Sequence, residues 1–578
     1  MLWRTQILLV EITISVIVLL MSVGFMVFIG STSFELDIFG RISNLFFTQV
    51  SIFIHSSVII ILASCVHCLY KQRCKASKRA LAVLSWITHV LFIQSSLVYV
   101  SAGLYYSAIT NPTTPTRISP FLTFADELPT GSLQINWYHK PVTVTQEKSG
   151  HKLWLYNSTF GPNVTEDDFR LQEKPDMWLP IPVESIDHTH HSTLSGLQPG
   201  RKYFYKTTVS KSIYHLIAPK PQTDFRFALI SDTHARYGVN VLLKSFLEDK
   251  QPDFVVHGGD FVTIGAVMAQ WRQMMADHGM FSYLRNKPLL ATSGNHELYR
   301  NVLDIVTDRN NYKNLFNHHQ VVQRRVGLTS GDQNYRDWDD LLQYIPPVAR
   351  KYYDPDIVGD IPPFDEGQYL TLEYGNTLFL ILDCMEDYRR HKLTGVPLGH
   401  VFSPEQLKWL NTTLVRYAPT NRPDIKFRVL VSHISMYTIT KAQTEPLPLA
   451  LLLEPYICQY HVDAFVVGHS HLTEVYNRTS VCSELGYPDH SFYAVVLGTS
   501  GGTPKRIANL LRGKFRWSTL EATSLSPAIR ESAYVAKDFV YGASFYQCVI
   551  VDVSDTSLTF HFYKLSTRHE VFQLSILK

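Results

Sequence analysis

Net charge is what this 578-residue chain most plainly lacks. Its 53 basic residues stand against 50 acidic ones, leaving a formal charge of +3. No global field marks a nucleic-acid binder, so charge asymmetry has to be found by position. Cysteine is scarce too, with seven in all. Cys65, Cys68 and Cys74 belong to an apolar stretch and its basic end, the wrong context for a redox reading of "CVHC". Cys384 and Cys548 lie in apolar strand-like runs and are expected to be buried free thiols. Cys458 and Cys482 can pair in an oxidising compartment.

Asp, Glu, Lys and Arg are absent from three apolar runs, Ile12–Ile29, Leu45–Tyr70 and Ala80–Tyr106. Each is near the length that a bilayer core of about 30 Å requires of a helix, which predicts membrane spans over about 7–30, 45–70 and 80–106 within a membrane region of residues 1–106. The first run is longer than a signal-peptide core and lacks a clear small-residue cleavage site, so it reads as an anchor. Between the second and third runs, "KQRCKASKR" carries Lys71, Arg73, Lys75, Lys78 and Arg79 with no acid, whereas the first connection carries Glu35 and Asp37 against Arg41. The positive-inside rule places Lys71–Arg79, and with it the N-terminus, in the cytoplasm. Everything after Tyr106 is then expected in a lumen or outside the cell, where the sequons at Asn157, Asn163, Asn411 and Asn477 can be glycosylated.

A Pro- and Thr-rich linker, residues 107–118, leads into alternating apolar segments. In "SLQINWYH" the residues Leu133, Ile135 and Trp137 face one way, and Tyr203 and Tyr205 repeat the period of two. Residues 119–222 therefore read as a small β-sandwich. From Phe225 the pattern becomes apolar strand, helix, apolar strand, through "FRFALISD", "DFVVHGGD", "PLLATSGNH", "TLFLILD", "FRVLVSH" and "VDAFVVGHSH". This predicts an α/β domain over 223–578, its sheet covered by helices on both faces and its ligands beyond the strand C-termini.

Those strand ends carry Asp232 and His234, Asp260, Asn295 and His296, His433, and finally His469 and His471. One such Asp is an ordinary helix cap, and one such His an ordinary core residue. Eight of them at the mouths of five apolar runs are not explained that way. Carboxylate, amide oxygen and imidazole suit hard and borderline metals, and the absence of cysteine argues against a structural zinc knot. Two metals are implied, with Asp260 the candidate for a bridging carboxylate.

In this order "DTH", "GGD", "GNHE", "VSH" and "GHSH" resemble the calcineurin-like metallophosphoesterase superfamily. The resemblance implies one metal held by Asp232, His234, Asp260 and His471, and a second held by Asp260, Asn295, His433 and His469. The two histidines of "GHSH" then serve different metals, and Gly468 is expected to let the backbone turn tightly beneath them. "LQPGRKYFYK", "QYLTLEYGNTLFLILD", "SPEQLKWLNTTL", "VSHISMY" and "GTSGGTP" look like the purple acid phosphatase family over about Ser119–Lys564. That likeness excludes the membrane runs and the long segment Tyr299–Pro363. It implies a fibronectin-like sandwich over 119–222 ahead of a metallophosphoesterase sandwich of mixed sheets flanked by helices.

What the resemblance implies chemically is acid-phosphatase-like hydrolysis of a phosphorylated small molecule or another exposed phosphomonoester, by attack of metal-bound hydroxide on phosphorus. His296, next to the ligand Asn295 and not needed as one, is the candidate to protonate the leaving group, and Glu297 to orient a ligand. Iron, zinc or manganese would serve, and no nucleic-acid partner is expected. A phosphodiesterase or pyrophosphatase using the same centre is the alternative. A membrane receptor with a non-catalytic domain is a further one, against which the complete ligand set argues. The chain departs from the purple enzymes at two places: Thr263 stands where they have a metal-binding tyrosine, and His234 where they have glycine. Imidazole in place of phenolate predicts a colourless centre suited to divalent ions.

Overall fold

Phe225, Phe227 and Leu229 alternate with Ala228 and Ile230 along one strand, and both sets are buried. A strand achieves this only when something covers each face. In the computed structural model one face meets a second sheet and the other meets helices. The structure describes residues 118–124, 132–139, 151–186, 188–208, 212–276, 279–298, 310–316, 343–353, 368–385, 387–390, 397–436, 447–505 and 538–578. These all belong to one compact unit.

The first eight strands are β1 (Phe121–Phe124), β2 (Leu133–Tyr138), β3 (Leu153–Tyr156), β4 (Trp178–Ile181), β5 (Glu184–Ile186), β6 (Thr189–Leu194), β7 (Lys202–Thr207) and β8 (Tyr214–Ile217). Next come β9 (Phe225–Ile230), β10 (Phe254–His257), β11 (Pro288–Ala291), β12 (Leu370–Tyr374), β13 (Thr377–Ile381), β14 (Asp387–Arg390), β15 (Pro397–Val401), β16 (Phe427–Val431) and β17 (Ala464–Val467). The last are β18 (Thr473–Asn477), β19 (Tyr493–Val496), β20 (Phe539–Ala543), β21 (Gln547–Val553), β22 (Ser557–Lys564) and β23 (His569–Leu577). A ten-stranded sheet runs β23-β22-β21-β9-β10-β11-β1-β2-β6-β5, and a seven-stranded sheet runs β12-β13-β16-β17-β19-β18-β20. Smaller sheets are β14-β15 and β4-β3-β7-β8.

The two large sheets share one core. Phe227, Phe254, Val256 and Leu290 pack with Phe379, Ile381, Val429 and Val466. On the outer face of the ten-stranded sheet, Ala228, Ile230, Val255 and Leu289 meet Leu243 and Phe246 of helix Tyr237–Lys250 and Trp271 of helix Met268–Met275. On the outer face of the other, Leu378, Leu380, Leu430 and Phe465 meet Leu407 and Leu410 of helix Pro404–Arg416 and Leu453 of helix Leu447–Gln459. Ser403 caps the former by accepting from the Gln406 N–H, ahead of Pro404. Thus the single helix-covered sheet expected from the strand pattern alone is corrected to two sheets back to back, the mixed sheets flanked by helices that the resemblance implies. A continuous apolar strand demands cover on both faces, and its sequence does not say whether a helix or a sheet supplies it.

The β-rich segment before residue 222 also differs from a self-contained sandwich. β1 pairs in parallel with β11, Leu122 opposite Pro288, so β1, β2, β6 and β5 continue the phosphoesterase sheet. The expected boundary at 222/223 therefore falls where both hydrogen bonds and core packing cross it.

Cys458 and Cys482 form a disulfide, while Cys384 and Cys548 are buried free thiols. Among the described residues no helix is long and apolar enough to cross a membrane. The three expected spans fall within residues 1–117, outside the described ones, as does most of segment 299–363.

Candidate metal centre

β9, β10, β11, β16 and β17 each lead into polar residues beyond their last apolar side chain. Asp232 and His234 follow β9, Asp260 follows β10, Asn295 and His296 follow β11, His433 follows β16, and His469 and His471 follow β17. Parallel pairing within β9-β10-β11 and within β13-β16-β17 aligns these ends.

Their side chains converge in two overlapping groups. Asp232, His234, Asp260 and His471 form one, and Asp260, His433 and His469 the other, with the ligand atoms of each group within 4.8 Å of one another. Asp260 is common to both. His471 Nε2 lies 3.2 Å from Asp232 Oδ1 and 3.1 Å from His234 Nε2. His433 Nε2 lies 3.3 Å from Asp260 Oδ2 and 3.1 Å from Asn295 Oδ1, which brings Asn295 to the second group. His234 Nε2 is 3.8 Å from Asp260 Oδ2, so this imidazole points into the cluster. The Thr263 hydroxyl instead donates to the His234 carbonyl, 3.2 Å away.

These residues fit a cation pair. His433 Nδ1 donates to Gly258 O at 2.7 Å and His471 Nδ1 to Thr503 O at 3.0 Å, so Nε2 is the atom each ring turns toward the cluster. Converging lone pairs and two carboxylates repel one another unless positive charge lies among them. Burial raises the Asp260 carboxyl while His433 and His296 lower it, and the balance holds it well below its ordinary value.

The local backbone supports the same reading. Asp232, His234, Asp260, His469 and His471 all have positive φ, between 48° and 68°. Each such non-glycine conformation costs on the order of 1–3 kcal/mol, and such strain collects at functional sites. Gly468 is not left-handed. The tight turn expected there is made by the histidines themselves, and glycine is needed for a different reason: a Cβ would stand 1.9 Å from Ser231 Oγ and 2.6 Å from Asp232 Oδ2.

His296 is buried at 4 % exposure, with Nε2 3.9 Å from Asp260 Oδ2 and Nδ1 donating to Thr263 O at 2.7 Å. Glu297 accepts from the N–H groups of Gly294 at 2.7 Å and of Asp260 and Phe261 at 2.9 Å. One carboxylate thus ties the β11 loop to the β10 loop. Burial and then Asp260 push it up to about 8, against those backbone donors.

Other supports were invisible in sequence. Gln270 Oε1 accepts from Thr263 N and Ile264 N, and Thr499 Oγ1 donates to Asp232 O at 3.0 Å. Gln270 lies in a helix and Thr499 in "GTSGGTP", with no metal-ligand spacing to single them out. Arg236, two residues after His234, donates to Tyr546 OH at 2.6 Å and Thr503 Oγ1 at 3.2 Å. Of the sequons, Asn157 and Asn163 are exposed and Asn411 and Asn477 half-buried.

Residues 225–472 match the family model of the calcineurin-like phosphoesterases. With the strand-end ligands above, this stretch is a calcineurin-like phosphoesterase domain, and the chain is a metal-dependent hydrolase of phosphoric esters. Among solved structures, it is similar to a purple acid phosphatase from yellow lupin (Lupinus luteus) seeds, at 13 % identity over 79 % of this chain and 74 % of that one, with a TM-score of 0.50. It is also similar to PhoD, at 14 % identity over 79 % and 88 %, with a TM-score of 0.45. No curated protein matches the chain in sequence.

Proposed function

We propose that the protein is a membrane-anchored phosphomonoesterase with a dinuclear metal centre, its catalytic domain on the lumenal or extracellular side. The observation that carries the chemistry is the sharing of Asp260 between two ligand groups with His296 beside it. Asp232, His234, Asp260 and His471 would hold one ion, and Asp260, Asn295, His433 and His469 the other. Iron, zinc and manganese all suit these donors. When bound, such a pair polarises phosphoryl oxygens and makes water a nucleophile at neutral pH.

The chain's own residues supply the rest. His296 has Nδ1–H fixed on the Thr263 carbonyl, so Nε2 is the atom that hands a proton to the departing alcohol. Glu297 holds the Asp260 and Gly294 loops in register, keeping the shared carboxylate in place. Anchoring rests on the three uncharged runs before Tyr106, and the exported side on the basic connection Lys71–Arg79. The Cys458–Cys482 disulfide supports an oxidising compartment. Exposed Asn157 and Asn163 are the sequons best placed for glycans. At Asn411 and Asn477 the side-chain amides already bond to Tyr460 and Tyr493.

The test is hydrolysis of aryl phosphomonoesters and bis-aryl phosphodiesters by the full-length protein in detergent, with metal counted on the same sample. Two ions per chain and faster turnover of monoesters support the proposal. A strong diester preference would replace it with the phosphodiesterase reading, and metal-loaded protein inert on both would overturn it.

A further inference from the structure

Away from that centre, three imidazoles from three strand ends come together. His139 follows β2, His151 precedes β3, and His190 lies on β6 opposite Trp137. One ring nitrogen of each lies within 4.8 Å of the others. β11 and β1 lie between β10, which leads into Asp260, and β2, so this group is separate from the phosphoesterase ligands.

Ring packing is the plainest explanation, since His151 and His190 stack with centroids 3.6 Å apart and His139 meets His151 at 5.1 Å. Phenyl rings would pack equally well without the cost these rings carry. His139 Nδ1, His151 Nδ1 and His190 Nε2 are buried and have no hydrogen-bond partner. Each unsatisfied buried polar atom costs about 1–3 kcal/mol, and a single cation would satisfy all three together. His190, at 1 % exposure, also has Nδ1 at 2.8 Å from Ser185 Oγ. With Nδ1–H donating to that hydroxyl, Nε2 keeps its lone pair, which is how an outer hydrogen bond fixes the tautomer of a ligating histidine.

We infer that His139, His151 and His190 bind one divalent transition-metal ion, zinc above all, at a site distinct from the dinuclear centre. Three neutral imidazoles with no carboxylate suit zinc, copper or nickel rather than calcium or magnesium, and leave a position open for water. β2 and β6 belong to the ten-stranded sheet and β3 to the four-stranded one. The ion would therefore fasten two sheets together and hold both ends of the connection 140–150. Part of its binding energy would appear as folding stability.

The experiment uses full-length protein without a polyhistidine tag, loaded with zinc, dialysed and counted by plasma emission. His151→Phe keeps a packing ring and removes the nitrogens. It is expected to hold one zinc fewer than wild type and to keep phosphoester turnover within about twofold, as separate sites do. The rise in Tm on adding zinc to chelator-treated protein should shrink with it. Equal zinc counts for the two proteins would overturn the inference. Should His151→Phe not fold, His139→Ala is read in the same way. Failure of the dinuclear centre to load lowers both counts alike, so the difference between the proteins tests this site alone.

Discussion

At the scale of single residues, the departure at Thr263 has a physical counterpart. Its hydroxyl is spent on the His234 carbonyl while the His234 imidazole points toward Asp260 and His471. With threonine at the position where the purple enzymes have their metal-binding tyrosine, the phenolate-to-iron charge transfer behind a purple colour has no source there. The purified, active protein is expected to show no intense visible band, and a band lost on reduction would refute this. His296 makes the second prediction. His296→Ala should lower turnover by about two or more orders of magnitude, the usual reach of general acid catalysis, with the metal count unchanged. Loss of both metals in that variant would make His296 a supporting residue instead. The ligands were legible because each stands at the end of an apolar run, where a polar residue needs a reason. Their left-handed backbones were not legible, since φ follows from how loops meet and no residue type announces it.

At the scale of elements, the strands were legible and their partners were not. "FRFALI", "FVVH" and "FRVLV" are apolar on every residue but an arginine or histidine. That fixes cover on both faces and leaves open what the cover is. Glu297 shows how two strand ends are locked to each other, by one carboxylate accepting from Gly294, Asp260 and Phe261. Glu297→Gln keeps the shape but turns one acceptor into a donor facing an N–H. The expected result is metal affinity about 10 to 100 times weaker, the usual cost of an outer-sphere loss, measured by competition with a chelator. Unchanged affinity would mean that the loops hold their register without it. The histidines of the third cluster escaped the sequence reading for the opposite reason to the ligands of the centre. His139, His151 and His190 share no spacing, and each alone is an unremarkable residue near a strand.

At the scale of the whole molecule, acid should loosen the fold. His490 is buried, donates from Nε2 to Val462 O at 2.9 Å, and is held down to about 4 chiefly by burial, against the pull of that carbonyl. Its ordinary value in an unfolded chain is about 6.5. Between these values the unfolded chain binds a proton that the native state refuses. The contribution is therefore fully present above about 6.5 and drains away toward 4, at up to about 1.4 kcal/mol per pH unit. His490→Gln should flatten the fall of Tm over that window, and an unchanged slope would remove His490 from the account. The sharing of one sheet across residue 222 has a practical consequence for anyone trimming this protein. β1 supplies the hydrogen-bonding edge of β11, and Phe124 lies against Phe254 and Tyr374. A fragment cut to begin at residue 223 would present a bare apolar strand edge, which invites chain-to-chain pairing. It should elute as aggregate in size-exclusion chromatography, whereas one begun at Ile118 should elute as a discrete species, so the shortest useful gene starts upstream of every catalytic motif.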